Sequence, residues 1–406
     1  MASTIAWLDH SEHDRRRAVE VIKLFEEKGT VDELGIGVVR DAISDLLFPG
    51  TSVLHTRARY FLIIPWIYQY LEGRETPSAE IEGRGRQLEL SLIDLLLASD
   101  DSQGTIGRVA GKKLKILPST MYWTGLEAWG IRLLPGTQYQ YRRSLDRIYR
   151  MAAAGTVRND DNEPSSAAPR VWHASLPKPP SGFRKEPLSF ALTVEEAEYL
   201  HERIMTKCRG SLLAHLVDQC RPAPDAPMVW AHPQSGGFPA VLKEQLAHAM
   251  NFSLAMHGAA LLYNLMLAEA KGDQEDLVAG YRSDLDAWLA ELEAANATLH
   301  RWNRLEFWAT VMRAGGRVTQ PTRWFVDAWL DLALGPNSAE DTNGRQARRL
   351  VADRELRLKG RLARLHNPMA LKQWRGASGL TRMSYRWDPQ MRQVTGDIQR
   401  GLGRHA

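Results

Sequence analysis

The chain has 406 residues, 44% hydrophobic and 25% charged, the composition of an ordinary globular protein with room for two or three domains. The net charge is +4, but residues 345–406 hold fifteen Lys and Arg against four Asp and Glu, so that segment stands at +11 and the first 344 residues sum to −7. Cys208 and Cys220 are the two cysteines, which excludes a disulfide scaffold and fits a reducing cytosol. The N-terminus carries no apolar run of the secretory kind, so a cytoplasmic protein is expected.

In chain order, Ala18, Val19, Ile22 and Phe25 lie at helical spacing and predict a helix over residues 11–28, stopped by Gly29. A second helix is expected over 31–47, ended by Pro49-Gly50. Residues 56–71, with Phe61, Leu62, Ile63, Ile64, Trp66 and Ile67 around Pro65, are too apolar for a surface helix and are read as core. Residues 87–134 predict a helix (87–98), a polar turn, a short element (106–110) and a helix over 121–129, with Ser119 or Thr120 as its cap. That order is compatible with a small helix-turn-helix or winged-helix-like unit, although Trp123 and Trp129 point to core packing.

Residues 153–187 are rich in Pro, Ser, Asn and Asp and read as a linker or long surface loop. A capping box, Thr193 with Glu196, opens a second helical body with helices at 193–218, 239–270, 274–299 and 321–335. Residues 251–270 are nearly uncharged. Asn251, His257, Asn264 and Glu269 within them predict a buried core helix, not a membrane span. The expected fold is therefore mainly α: an N-terminal helical domain (1–152), a linker (153–190), a second helical domain (191–344) and a basic Arg-rich segment (345–406).

An acidic body with an Arg-rich end suits a polyanionic partner, nucleic acid first. Arg348, Arg349, Arg354, Arg357, Lys359, Arg361 and Arg364 fall in one predicted helix over 346–366, with Leu350, Leu356, Leu362 and Leu365 as its apolar side. Guanidinium groups pair bidentately with phosphates. The competing reading docks this end onto the acidic body or an acidic protein. Arg375, Arg382 and Arg386 interleave with Trp374, Tyr385 and Trp387, a pattern equally suited to stacking on unpaired bases and to ordinary packing.

A second candidate set is Arg40, Arg57 and Arg59 about the turn FPGTS, where Thr51, Ser52 and backbone amides offer an anion site. Its alternative is that Arg40 pairs with Asp32, Glu33 or Asp45. Arg142, Arg143, Arg147 and Arg150, with Lys112, Lys113 and Lys115, read as a solvated face or an extension of the basic surface.

Catalytic motifs fail on spacing. The stretch GTIGRVAGKK lacks the glycine a phosphate loop needs five residues before Gly111, and Lys112 is followed by Lys113. His10, Glu12 and His13 find no third metal ligand, Cys208, His215 and Cys220 do not match a zinc spacing, and Glu26-Glu27-Lys28 sits at a helix end. No catalytic residue, metal or cofactor is expected.

The stretch TVDELGIGVVRDAISDLLFPGTSVLHTRARYFLIIPW (30–66), with WLDHSEHDRRR before it, PSTMYW (118–123) and SYRWDPQMRQVTGDIQRGL (384–402), resembles the bacterial and archaeal family DUF6361, a domain of unknown function. The resemblance implies no activity. Members tend to lie near helicases and DNA methylases in phage-defence islands, which implies a nucleic-acid setting by analogy. The expectation is a non-catalytic nucleic-acid-binding subunit, DNA before RNA, working with other proteins of a defence system. The alternatives are a structural adaptor that docks an acidic protein, and a nuclease-like enzyme whose carboxylates come from distant segments.

Overall fold

A computed structural model describes residues 32–154, 157–158, 164–166 and 169–405. The helix expected at 11–28 and the motifs at 10–13 and 26–28 lie outside them. The protein is mainly α, with sixteen α-helices among the described residues and one short antiparallel pair, β1 (Val157–Arg158) with β2 (Pro164–Ser166). The chain divides into two compact units, each discontinuous in sequence: residues 44–242 with 386–406, and residues up to 43 with 243–385. The division falls away from the expected linker, and the described part of 153–190 stays inside one unit.

The first helix among the described residues, α1 (Gly37–Leu47), starts where the Asp32 carboxylate accepts from the Ile36 and Gly37 amides at 2.8 and 2.7 Å. In the 44–242 unit, α2 (Tyr60–Glu72) is buried almost all round, Pro65 included, as its unbroken apolar run requires. It packs on α3 (Ile81–Leu97) and α4 (Pro118–Ala128). The Trp129 ring stacks on Phe61 at 3.9 Å between centroids and donates its N–H to the Pro49 carbonyl. Trp123 is buried too, as expected.

The middle helix of the anticipated helix-turn-helix is absent. Gly104, Gly107 and Gly111 all take left-handed φ, so residues 101–117 form successive turns with one 3₁₀ turn at Gly111–Lys113. Nor do Ser119 or Thr120 cap α4, which begins at Pro118. Glu89 of α3 does so instead, accepting the Ser119 amide at 2.8 Å and its hydroxyl at 2.7 Å.

Next comes α5 (Gln138–Ala153), opened by a capping box of Thr137 and Gln140. The segment after residue 168 straps back over α2 and α3. Trp66 donates to the Pro177 carbonyl, Trp172 to Glu72, and the Leu188 amide to Leu95. Two helices, α6 (Val194–Lys207, with the predicted Thr193–Glu196 box) and α7 (Leu212–Gln219), receive the C-terminal helix α16 (Arg392–Gly401).

The other unit is organised on α8 (Ala240–Lys271), a long helix whose middle is buried as predicted. Asn264 within it exchanges two hydrogen bonds with the Ser378 backbone, at 2.7 and 2.8 Å, which is how a polar residue survives there. A Cβ on Gly258 would stand 2.3 Å from the Trp288 ring, so only glycine admits that contact. The same unit holds α9 (Glu275–Ala294), α10 (Asn296–His300), α11 (Arg304–Arg313), α12 (Gln320–Ala333), α13 (Ser338–Asp341), α14 (Arg345–Lys359) and α15 (Pro368–Lys372). No helix among the described residues is long and apolar enough to cross a membrane.

Candidate nucleic-acid interface

The basic tail is amphipathic in a register other than the one read from its leucines. Ala347, Leu350, Val351 and Arg354 form the buried side of α14, which lies against α12. Leu356 and Leu362 are 41% and 72% exposed. Leu356 lies round the helix from Leu350, and Gly360 at φ +53 ends the helix before Leu362 can enter the stripe.

Three inward cations are consumed there. Arg354 donates to the Leu34 and Gly35 carbonyls at 2.8 and 3.0 Å and to Thr322 at 2.9 Å. The ammonium of Lys359 bonds Glu33, and Glu355 at 3.0 Å. Arg364 reaches Glu33 at 2.6 Å and the Ser378 hydroxyl at 3.0 Å. Glu355, fully buried, also accepts from Tyr263 and from the backbone amides of Arg364 and Leu365. Burial pushes both carboxyls up. The Lys359 and Arg364 partners of Glu33, and the Tyr263, amide and Lys359 partners of Glu355, outweigh it and hold both below the usual carboxylate range.

Other expected contact residues are likewise engaged within the protein. All five guanidinium N–H groups of Arg57 are used: Asp101 takes a bidentate pair at 2.5 and 2.6 Å, Asp397 another at 2.9 and 3.1 Å, and the Gln103 carbonyl a fifth bond. Arg59 is buried on Glu196 at 2.6 Å and the Ser189 carbonyl. Arg386 bonds Asp45 at 2.6 Å and the Thr51 carbonyl at 2.9 Å. The FPGTS turn thus presents a carbonyl to a cation, while the Thr51 hydroxyl points back to Phe48. Arg40 bonds its neighbour Asp41 at 3.0 Å. Arg348 pairs with Glu269 and Arg382 with Glu291, at 2.6 and 2.8 Å. Trp374, Tyr385 and Trp387 are at most 2% exposed, closed to any base.

What faces outward is a smaller set. Arg345, Arg349 and Arg357 lie along the outer side of α14 at four-residue multiples, and Arg361 follows. Among the described residues, Arg349 is the one of these four that meets a carboxylate, Asp353, loosely at 3.6 Å. Lys372 and Arg375 are exposed as well. Arg345 and Lys372 were not singled out from sequence, yet the four-residue step from Arg345 to Arg349 was there to be read. In α5, Arg143, Arg147 and Arg150 are exposed, whereas Arg142 is buried on Glu82 at 3.0 Å. Among the described residues no three His, Cys, Asp or Glu are grouped to hold a metal ion.

Fold and site together define a mainly helical protein whose Arg-rich end is half absorbed into its own core. Its sequence matches the family model described as "Family of unknown function (DUF6361)" over residues 2–399, and the chain belongs to that family. Comparison with curated proteins and with solved structures returned no match.

Proposed function

We propose that this protein is a non-catalytic, cytoplasmic nucleic-acid-binding subunit of a multi-protein system, with anti-phage defence as its setting, and that it meets the phosphate backbone through the outer side of α14. The observation that carries this reading is the sorting of one tail's cations. Arg354, Lys359 and Arg364 are spent inside the fold, while Arg345, Arg349 and Arg357 are held outward on α14 and Arg361 on the turn that follows it. Outward guanidinium groups at regular spacing fit a phosphate array and carry no base sequence information. Burial of Trp374, Tyr385 and Trp387 removes the stacking platforms that single-strand readers use, which favours duplex DNA.

The test is fluorescence anisotropy of a labelled duplex with the full chain at rising salt. Binding should weaken steeply with salt, and R345E/R349E/R357E/R361E should lose it at all salts. Equal binding by that variant overturns the placement, and no binding at low salt overturns the function. A second reading, an adaptor for an acidic protein, is favoured by Leu356, Leu362 and Met369, all more than 40% exposed among these cations. It predicts that association with the acidic partner survives in L356S/L362S only weakly, whereas DNA binding is unchanged in that variant.

A further inference from the structure

We infer that the loop over residues 104–115, in the unit that does not contain α14, is a second contact to the phosphate backbone; this rests on the nucleic-acid reading above. The loop reads GTIGRVAGKKLK, with four cations and no acid. Arg108, Lys112 and Lys113 are exposed, and among the described residues their side chains make no hydrogen bond or ion pair. Val109 at the tip is 100% exposed. A loop that served solubility alone would interleave both signs of charge and would not hold an aliphatic side chain wholly in water.

The base of the loop is fixed. The Ile106 amide donates to the Tyr60 hydroxyl at 3.0 Å, Thr56 to the Gly104 carbonyl at 2.6 Å, and Arg86 to the Leu114 carbonyl at 2.8 Å. Arg57, itself locked between Asp101 and Asp397, donates to the Gln103 carbonyl at 2.9 Å. A Cβ on Gly107 would meet Ile93 at 2.7 Å, so the backbone lies directly on α3 there, whereas Gly111 has nothing within 4 Å. The loop is therefore pinned at its base and open at its tip. Cations held this way lose little conformational freedom on binding, and an aliphatic tip between them suits the floor of a groove rather than a flat phosphate row.

The experiment uses the full chain and the same labelled duplex, with R108Q/K112Q/K113Q beside R345Q/R349Q/R357Q/R361Q. Each phosphate contact contributes about 0.9 to the slope of log affinity against log salt, so the loop variant should flatten that slope by roughly 2 to 3. Its melting temperature should match that of the unaltered protein, because the three exposed side chains have no hydrogen-bond or ion-pair partner among the described residues. V109D should weaken binding about tenfold or more at low salt without a change of that kind in V109A. An unchanged slope in the loop variant, with a flattened one in the α14 variant, overturns this inference and leaves the proposed function standing. A slope near zero in the unaltered protein overturns both.

Discussion

The two sides of α14 use the same residue type for opposite purposes. On the inner side, Arg354, with Lys359 and Arg364 beyond it, replaces water by carbonyls and carboxylates and ties residues 33–35 to the tail. On the outer side, Arg345, Arg349 and Arg357 are exposed and keep their hydration. Local charge density is the same for both and cannot tell them apart. The helical register decides, and with it the location of the nearest buried carboxylate.

This contrast can be broken by substitution, and the largest effect belongs to the most enclosed cation. Arg57→Met leaves Asp397, its side chain 2% exposed, with only the half-exposed Arg400 as counterion. Removing one partner of a buried pair costs about 3–5 kcal/mol, which denaturant unfolding would register as a lower midpoint. Burial works against the Arg57 charge but is outweighed by the Asp101 and Asp397 bonds, which raise its pKa above the ordinary value.

Buried carboxylates without a bonded cation should behave in the opposite sense to Glu33. Burial pushes Glu89 and Glu72 up to about 7, against the hydrogen bonds from Ser119 and from Tyr141 and Trp172. Their folded pKa lies above the unfolded one, so the folded state binds more protons between about 4.5 and 7, and stability falls as pH rises through that window. Each carboxyl contributes on the order of 3 kcal/mol at most, and melting temperatures measured across that range should show a fall that E89Q reduces.

Glu33 gives the reverse slope. Its pKa is depressed, so its contribution is present above the unfolded value and is lost as pH falls through the folded one. Glu33→Gln should cost roughly 1–3 kcal/mol near neutral pH, less than Arg57→Met because Lys359 and Arg364 are partly in water. Its melting curve should lose part of the acid sensitivity below about pH 4.5. The smallest effect belongs to the outer side: R357Q/R361Q should leave stability within about 0.5 kcal/mol by the same denaturant measurement.

Elements with a strong local pattern were legible in the sequence. The run from Phe61 to Ile67 has no polar face to show water, and it is core. The Thr193–Glu196 box opened its helix where predicted, and the burial of residues about Asn264 followed from their composition. The division of the cations was not legible, because it depends on partners far away in the chain. Glu33 meets Arg364 and Arg57 meets Asp397 across more than 300 residues. Nothing local separates Arg357 from Arg354. The leucine pattern also misled, because Leu356 and Leu362 looked like a seam and are exposed. Likewise Glu89, an ordinary glutamate in sequence, caps a helix that starts about thirty positions later.

The claim that outward cations, and not paired ones, make the polyanion contact is tested most directly by comparing salt slopes for a labelled duplex. The two variants are R345Q/R349Q/R357Q/R361Q and R348Q/R382Q, whose arginines are already neutralised by Glu269 and Glu291. The account predicts that the first flattens the slope of log affinity against log salt by roughly 3 to 4 and that the second leaves it unchanged. Equal flattening by both, or flattening by the second alone, would contradict it.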